Sequence, residues 1–521
     1  VTSLALGFAC PYWKLAGVPE VFALHALLVA GVLYLAVGSR PRGCWRAIAA
    51  GLVFGLGLSH QLTIVFAAPL VVVALWRALT ETRQPTSRDP IAATVPAARG
   101  EAAAEPGESE ALRAIGMIGL FVVALAAGLS AYLYLILTPT EGWSWTTIGG
   151  LDDLLDHVLR RQYGTLKLAG TSRLPAWSVV AWAIGKQASA LGGVGALAGL
   201  WGFARIGRPP RSETTPSLSG SSESRAPLGG SIGASSSVRS GRALGIALIS
   251  SWFLAGVLLF ALAGLRLTPI SRSVLERFTL MPLVLLAPGI AVALEELASR
   301  LSAARWRRIT FAMIAGALLV FASLRLPEAA WTARTGIERF VGDTLDDAPP
   351  NAVIFGQGDH LLTSMELAIR SGPARWRSLL YVDVHMLRRR PYYDWVKRRW
   401  PNLPIPFSAA RTRLAFLLVN ETRVRRKYCF LDALRILRGL PSYPRGTLIC
   451  LGRMPREQVI AFNLRRLAER GIPARPEAEI EPWFAELFPR YLRPLRAIRP
   501  LLVERGRRRE LAIIDQFLRR H

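Results

Sequence analysis

The chain has 521 residues, too many for a single domain core, and carries a net charge of +28, so a nucleic-acid-binding protein has to be considered. Apolar residues make up 51% of it, which argues against an ordinary soluble domain. The basic residues do not gather in one folded module. They flank apolar runs, where they set membrane orientation instead. We therefore predict an integral membrane protein with no nucleic-acid partner.

The first residues do not form a complete membrane span. Residues 1–10 are apolar, but a helix needs about 20 such residues to cross a bilayer. This stretch resembles the end of a helix, and we expect a further N-terminal part upstream of Val1.

Eight apolar segments follow, and each is predicted to span the membrane as an α-helix. The segments are residues 20–37, 44–59, 62–76, 112–138, 177–204, 243–265, 278–296 and 308–325. The second and third are short and closely spaced, so a re-entrant hairpin is an alternative for that pair. Together the segments define a transmembrane domain over residues 1–326.

Arginines indicate which side of the bilayer each connector occupies. They crowd four connectors that would share one side, and the positive-inside rule places that side in the cytoplasm. These connectors are residues 38–46, 77–113, 205–242 and 299–308.

The remaining connectors then lie outside the cytoplasm, at the turn around His60, at loops 139–176 and 266–277, and after residue 326. Two stretches of the cytoplasmic connectors are rich in small and polar residues, and we predict that they are disordered. These stretches are residues 78–111 and 209–242.

Residues 327–521 consist of short β-rich runs that alternate with helical stretches, which favours a small α/β domain with a mainly parallel sheet. Strands are predicted at residues 352–356, 378–384, 414–419 and 447–451, and helices at 363–369, 391–400 and from 456 onward. The domain is strongly basic, which fits either attraction to anionic lipid head groups or a solvated arginine face.

The cysteines and histidines do not form a recognisable metal motif. No CxxC or HExxH spacing occurs among the four cysteines and six histidines, so we predict no histidine-based metal site. Cys429 and Cys450 share the C-terminal domain. They form either a disulfide, if that domain is periplasmic, or two buried thiols.

Polar side chains near the spans are candidates for function because they are costly in a bilayer. Glu20 opens the first span, where the helix dipole alone would also favour a carboxylate. His25 lies deeper in the same helix. His60 and Gln61 occupy an external turn, which needs polar residues in any case.

The external loop 139–176 is too long and polar for a plain connector. Its tryptophans suit either a sugar-binding cleft or the membrane interface, and its arginines suit a phosphate group. A membrane-surface helix is the alternative. The candidate residues are Glu141, Trp143, Trp145, Asp152, Arg160, Arg161, Gln162 and Tyr163.

Two further candidates lie later in the chain. Glu276 and Arg277 form a possible ion pair beside the seventh span. Asp359 follows a predicted strand in the stretch Gly-Gln-Gly-Asp, which is a common position for a ligand loop in α/β sheets. The glycine spacing does not match a dinucleotide fingerprint.

Several separated motifs together resemble the bacterial protein O-mannosyltransferase-like family, which belongs to the GT-C type of membrane glycosyltransferases. Trp13 precedes Glu-Val-Phe-Ala-Leu-His at 20–25, and Gly-Leu-Gly-Leu-Ser-His-Gln-Leu-Thr stands at 55–63. The external loop contributes residues 143–153 and Arg-Arg-Gln-Tyr-Gly at 160–164. Gly356 to Asp359, Tyr381-Val-Asp and Tyr392-Tyr resemble markers of the family's C-terminal region.

The resemblance implies an α-helical polytopic membrane protein with a GT-C-like bundle and an extracytoplasmic α/β domain, in the inner membrane of a bacterium. It also implies transfer of a sugar, mannose in the family, from a polyprenyl-phosphate donor to a protein or glycan hydroxyl. Such chemistry needs a carboxylate base and cations, or a divalent metal, at the lipid phosphate.

The chain departs from the family pattern in three places. The family's acidic first external loop would precede Val1, Phe22 replaces a tyrosine, and Ser144 replaces a glycine. We therefore expect residues 1–521 to lack the main base of the family, and Glu20, Glu141 and Asp152 are the remaining external acids. A transporter and a non-catalytic scaffold that binds glycolipid or protein partners are the alternatives.

Overall fold

The structure is a computed structural model. It describes residues 21–81, 106–137, 148, 150–159, 177–206, 231–301, 304–329, 336–388, 390–401, 426–432, 439–478 and 481–520. The chain divides into two compact units. We call the described residues within 1–137 and 154–332 the helical unit. The described residues within 138–153 and 333–521 form the sheet unit, so the short helix at 151–158 begins in one unit and ends in the other.

The helical unit contains helices in all eight regions where spans are predicted. Among the described residues, four helices are long and apolar enough to cross a membrane, at Leu62–Glu81, Ala111–Leu137, Gly241–Leu262 and Leu280–Arg300. The chain is thus mostly helical, as predicted, and its described residues include four candidate membrane-spanning helices. The individual helices are α1 Val21–Val37, α2 Cys44–His60, α3 Ala68–Glu81, α4 Pro106–Leu129, α5 Leu133–Leu137, α6 Leu151–Val158, α7 Trp177–Ala190, α8 Val194–Arg205, α9 Ser231–Phe253, α10 Leu259–Leu262, α11 Pro269–Arg277, α12 Leu280–Arg300 and α13 Ala304–Ala329.

Both stretches that the composition predicts as disordered are partly helical in the structure. Helix α3 continues to Glu81 and α4 begins at Pro106, so both enter the stretch 78–111 that the composition predicts as disordered. Helix α9 begins at Ser231, inside the second such stretch. Small residues such as Ala and Ser remain compatible with a helix that continues from an apolar span, and this explains both differences. The centres of both stretches lie outside the described residues.

The predicted span 177–204 is two helices. Helix α7 ends at Ala190 and α8 begins at Val194, and both Gly192 and Gly193 have a φ of +69°. That conformation is open to glycine and costly for other residues, so the glycine pair ends one helix before the next begins. The following region contains a second irregularity, a π-helical turn at Leu254–Leu258 between α9 and α10.

Helices of this unit approach one another at glycines. A Cβ added at Gly202 of α8 would collide with the carbonyl oxygen of Gly289 in α12, and one at Gly51 of α2 would collide with Phe121 in α4. Lipid tails are as apolar as leucine, so close backbone contact and dispersion drive helix association in a bilayer. The glycines therefore set which helices pair.

Arg46 is fully buried near the start of α2. Its guanidinium lies 3.0 Å from the Glu81 carboxylate at the end of α3 and donates to the carbonyl oxygens of Leu35 and Gly38. Arg77 reaches the same carboxylate at 3.8 Å. A buried charge is tolerated when it is paired and hydrogen-bonded, and this cluster ties together the ends of α1, α2 and α3.

The described part of the sheet unit has a five-stranded sheet with the order β2-β1-β3-β5-β4. Strands β1, β2 and β3 are parallel, whereas β5 pairs antiparallel with both β3 and β4. The prediction of a mainly parallel sheet is therefore wrong for one half of it. The elements are α14 Gly336–Asp347, β1 Val353–Gly356, α15 Asp359–Ser371, β2 Leu380–Asp383, α16 Arg390–Arg399, β3 Tyr428–Phe430, β4 Ser442–Arg445, β5 Leu448–Leu451, α17 Arg456–Arg470, α18 Pro482–Leu487, α19 Pro489–Glu504 and α20 Arg508–Arg520.

Cys429 and Cys450 face each other on β3 and β5 and form a disulfide. Of the two possibilities left open by the sequence, the structure adopts the disulfide. The two cysteines are 21 positions apart in the chain, and the segment that they close contains β4. Both lie in the apolar core that the sheet shares with α14, α15 and α18. The predicted strand at 414–419 lies outside the described residues.

The close contact between α8 and α12 leads to a test. Gly202→Ala places a methyl group against the Gly289 carbonyl oxygen, whereas Gly185→Ala in α7 meets nothing within 4 Å. We expect Gly202→Ala to destabilise the protein by about 1–3 kcal/mol through overpacking. Gly185→Ala should be neutral or stabilising by up to about 1 kcal/mol. Thermal melting in detergent measures both, and equal melting temperatures would contradict the close contact.

Candidate functional site at one end of the helical unit

Many of the predicted site residues lie outside the described residues. These are Glu20, Glu141, Trp143, Trp145, Arg160, Arg161, Gln162 and Tyr163. Asp152 is described and is exposed in the first turn of α6. Asp359 begins α15 directly after the Gly356-Gln357-Gly358 loop that follows β1, as the strand–loop pattern predicts.

The structure brings His25 and the turn around His60 together. His25 of α1 is 3% exposed, and its Nε2 lies 3.3 Å from the Thr63 hydroxyl. His60 ends α2, and Gln61 caps it by donating its backbone N–H to the Gly57 carbonyl. The side-chain oxygen of Gln61 and Nδ1 of His25 are buried without a hydrogen-bond partner among the described residues.

Arg277 lies near this polar group because it contacts the aromatic ring of Phe22, which is one turn before His25 in α1. The Arg277 guanidinium lies 6.0 Å from the centroid of the Phe22 ring, and Phe278 packs edge-on against that ring at 5.2 Å. Glu276 lies 3.6 Å from the ammonium group of Lys186. Glu276 thus forms an ion pair with Lys186 of α7, a partner that the sequence did not predict.

These residues occupy one end of the bundle. His60 is the last residue of α2, and Arg277 lies just before the start of α12. Arg46 and Arg300 lie at the opposite ends of the same two helices. We call His25, His60, Thr63, Glu276, Arg277 and Lys186 the polar end group. It places two cations and two imidazoles where apolar helices end, an arrangement suited to an anionic head group attached to an apolar tail.

Lys186 and its neighbour Gln187 were not among the residues predicted from the sequence. Gln187 is 2% exposed; it accepts a hydrogen bond from the Trp252 indole at 3.1 Å and donates to the Gly256 carbonyl at 3.3 Å. Gly256 belongs to the π-helical turn, a rare element that is frequent at functional sites. The sequence did contain a signal for these two residues. A lysine and an amide lie inside an apolar run, where each polar side chain is costly unless it is paired.

The sheet unit contains a second polar group, at the carboxyl ends of β1 and β2. Asp383 is 1% exposed and accepts hydrogen bonds from the backbone N–H groups of Gly358, His385 and Met386, at 2.9, 2.8 and 2.8 Å. The His360 ring packs against Trp483 with centroids 4.6 Å apart and ring planes tilted by 44°. Asp383 thus holds the loop between β1 and α15 through the Gly358 N–H.

Neither polar group gathers the ligands of a metal site. Over the described parts of the chain, no cluster of three or more His, Cys, Asp or Glu side chains could hold a metal ion. Comparisons of the chain with protein-family models, with curated proteins and with solved structures find no match. Function is therefore inferred from the residues and their geometry.

Histidine 360 gives a pH-dependent prediction. Burial, together with the nearby Arg490 charge, lowers the pKa of His360 from 6.5 to about 4. Between pH 6.5 and 4, therefore, His360 binds a proton in the unfolded chain but not in the folded chain. The free energy of unfolding should therefore fall as pH drops from 6.5 to 4, by roughly 3 kcal/mol at most from this group.

His360→Gln removes this contribution, so its melting temperature should depend less on pH between 7 and 4.5 than that of the native chain. His385→Gln, which changes an exposed histidine in the same unit, serves as the control. Identical pH profiles for the native chain and His360→Gln would contradict the burial of this ring in its neutral form.

Proposed function

We propose that this chain is a membrane glycosyltransferase that moves a sugar from a polyprenyl-phosphate donor to a hydroxyl acceptor outside the cytoplasm. The observation that carries the proposal is the polar end group. It gathers the cations Arg277 and Lys186 with His25 and His60 at one end of a bundle of apolar helices. A lipid-linked donor has the matching form, an apolar chain that ends in a phosphate.

In this reaction the acceptor oxygen attacks the anomeric carbon of the sugar. The bond between that carbon and the phosphate oxygen breaks, and the phosphate leaves on the polyprenyl chain. Arg277 and Lys186 would stabilise the charge on the leaving phosphate. A carboxylate accepts the acceptor's proton, and we assign that role to one of Glu20, Glu141 and Asp152.

Two independent features support the proposed side of the membrane. Arg46 and Arg300, which belong to two of the arginine-rich connectors, lie at the ends of α2 and α12 opposite His60 and Arg277, and this supports a cytoplasmic position for those connectors. The Cys429–Cys450 disulfide supports an oxidising compartment for the sheet unit. We propose that all eight apolar regions cross a bacterial inner membrane and that residues 327–521 lie outside the cytoplasm.

A transporter is the second candidate, because one observation favours it. The region 177–205 is a helix broken at Gly192-Gly193, and Gln187 binds a π-helical turn close to that break. Discontinuous helices commonly form substrate sites in transporters. A transporter moves its substrate without covalent change, so the transfer assay separates the two functions.

The transfer assay uses the full gene product in membrane vesicles with radiolabelled polyprenyl-phosphate mannose. We expect label on a protein or glycan acceptor. Arg277→Ala should lower the rate about 100-fold, since removing one donor that stabilises developing charge has about that effect. The control is Arg300→Ala, at the other end of α12 and 61% exposed in its side chain, which should leave the rate unchanged.

Three results would contradict the transferase proposal. One is label that enters sealed vesicles without becoming covalently attached, which would support the transporter. Another is an equal loss of rate in both arginine variants. The third is an absence of transfer with several lipid-linked sugars, which would favour the scaffold.

The proposed orientation is tested with the cysteines. A variant with Cys10→Ser leaves Cys44, which is free and exposed at the start of α2, and the disulfide pair. In intact spheroplasts we expect a membrane-impermeant maleimide to label nothing before reduction. After mild reduction and denaturation from outside it should label Cys429 and Cys450. A permeant maleimide should label Cys44 alone, and labelling of Cys44 by the impermeant reagent would reverse the orientation.

A further inference from the structure

Helix α20 of the sheet unit has two unlike faces. Its inner face packs the fully buried Ile514, together with Leu511, Phe517 and Leu518, into an apolar cluster shared with α17 and α19. At 3.6 residues per turn, the residues on the opposite side of the helix form one continuous strip, and all of them are exposed. We call this strip the basic face. It consists of Arg508, Arg509, Ala512, Ile513, Gln516, Arg519 and Arg520.

The basic face carries cations without acids. Helix α20 also contains Glu510 and Asp515, but both are paired with arginines outside this face. Asp515 lies 2.7 Å from Arg499 of α19, and Glu510 lies 2.7 Å from Arg507. No ion pair joins the four arginines of the basic face to an acid among the described residues. Their charge is therefore available to an external anion.

The stability of the helix accounts for only half of these arginines. Arg519 and Arg520 lie in the last turn, at the negative end of the helix dipole, where cations are stabilising. Arg508 and Arg509 open the helix, at its positive end, where cations are unfavourable. An anion bound at the basic face would offset that cost, whereas solvent alone leaves it in place.

The spacing of the arginines favours an extended anionic surface over a single small anion. The two arginine pairs are separated by eleven positions, which is roughly 16 Å along a helix. A single phosphate could reach only one pair. Between them Ile513 is 46% exposed. An apolar side chain within a basic helix face suits the boundary between lipid head groups and acyl chains.

A bilayer is also the anionic surface most accessible to this chain. The described residues include four helices long and apolar enough to cross a membrane. Attachment to a membrane raises the effective concentration of lipid around the sheet unit, so even weak contacts can form. A soluble polyanion has no such advantage.

We propose that the basic face of α20 binds the anionic head groups of a phospholipid bilayer. The arginines donate to lipid phosphate oxygens, and Ile513 reaches the edge of the acyl region. Each arginine near an anionic membrane strengthens binding about fivefold. The contact holds the sheet unit against the lipid surface and does not depend on the sugar-transfer reaction.

The test uses the full chain in nanodiscs of phosphatidylcholine, either alone or mixed with phosphatidylglycerol. Gln516→Cys carries a fluorophore on the basic face, in a chain with Cys10→Ser and Cys44→Ser, and nitroxides on the lipid head groups quench it on contact. We expect strong quenching with phosphatidylglycerol and little with phosphatidylcholine alone. High salt should reverse the quenching, because exposed charges are screened.

Two double variants with the same loss of charge separate the basic face from the general charge of the unit. Arg509→Gln with Arg520→Gln should lower the ratio of quenched to unquenched chain about 25-fold. Arg390→Gln with Arg465→Gln is the matched control. These two arginines are exposed on α16 and α17, and each is paired with an acid, at 3.7 and 3.9 Å. The control should quench as the native chain does.

Four results overturn the proposal. They are equal quenching in neutral and anionic nanodiscs, unchanged quenching in a basic-face variant that melts as the native chain does, and an equal loss in the control variant. The fourth is release of the quenched fluorophore by a micromolar single-stranded oligonucleotide at physiological salt, which would assign the basic face to nucleic acid instead.

Discussion

The cost of an unpaired polar group inside an apolar bundle is the constraint on which the helical unit depends. Water is absent from the bilayer core, so each polar side chain there needs a partner within the protein. Arg46 forms an ion pair with Glu81. Gln187 hydrogen-bonds the Trp252 indole and the Gly256 carbonyl. Each of these contacts joins separate helices. The polar residues that would be costly alone thus fix which helices are neighbours.

The same constraint distinguishes structural from functional polar groups. Arg46 is enclosed by one carboxylate and two carbonyls, so no donor capacity is directed at a ligand. At the other end of α2, by contrast, Nδ1 of His25 and the Gln61 oxygen lack partners among the described residues. A group whose hydrogen bonds are all made holds the fold together, and one with capacity left can bind. This difference favours the polar end group as the site.

Long apolar segments made the spans predictable. Four of the eight segments correspond to helices that meet the length and hydropathy needed to cross a bilayer, because a run of about 20 apolar residues has few other structures open to it. The break before Val194 was not predicted. Two glycines inside an apolar run fit a continuous membrane helix as well as a broken one, and only neighbouring helices decide between them.

The sheet was predictable where its strands are buried and parallel. Strands β1 and β2 are continuous apolar runs, and both were predicted close to their observed bounds. Strand β3 has only three residues, too few for a periodic signal, and β4 contains Pro444. Proline argues against a central strand but is compatible with an edge strand, which is the position of β4. Strand β5 was predicted close to its observed bounds, but β3 and β4, and with them the antiparallel pairing, were missed.

The roles of the acidic residues were the least predictable part of the site. The sequence places Asp383 in a predicted strand and Asp432 in no predicted element. It cannot show that Asp383 accepts three backbone N–H groups or that Asp432 binds two arginines. Those contacts decide the chemistry, because a carboxylate whose lone pairs are taken by fixed donors has none facing an acceptor hydroxyl. A base for acceptor hydroxyls must be an acid with a free lone pair facing the substrate. Asp383 is unsuited to that role for this reason, and Glu276 has its charge balanced by Lys186. This supports the assignment of the base to one of Glu20, Glu141 and Asp152, of which Asp152 is exposed on a short helix.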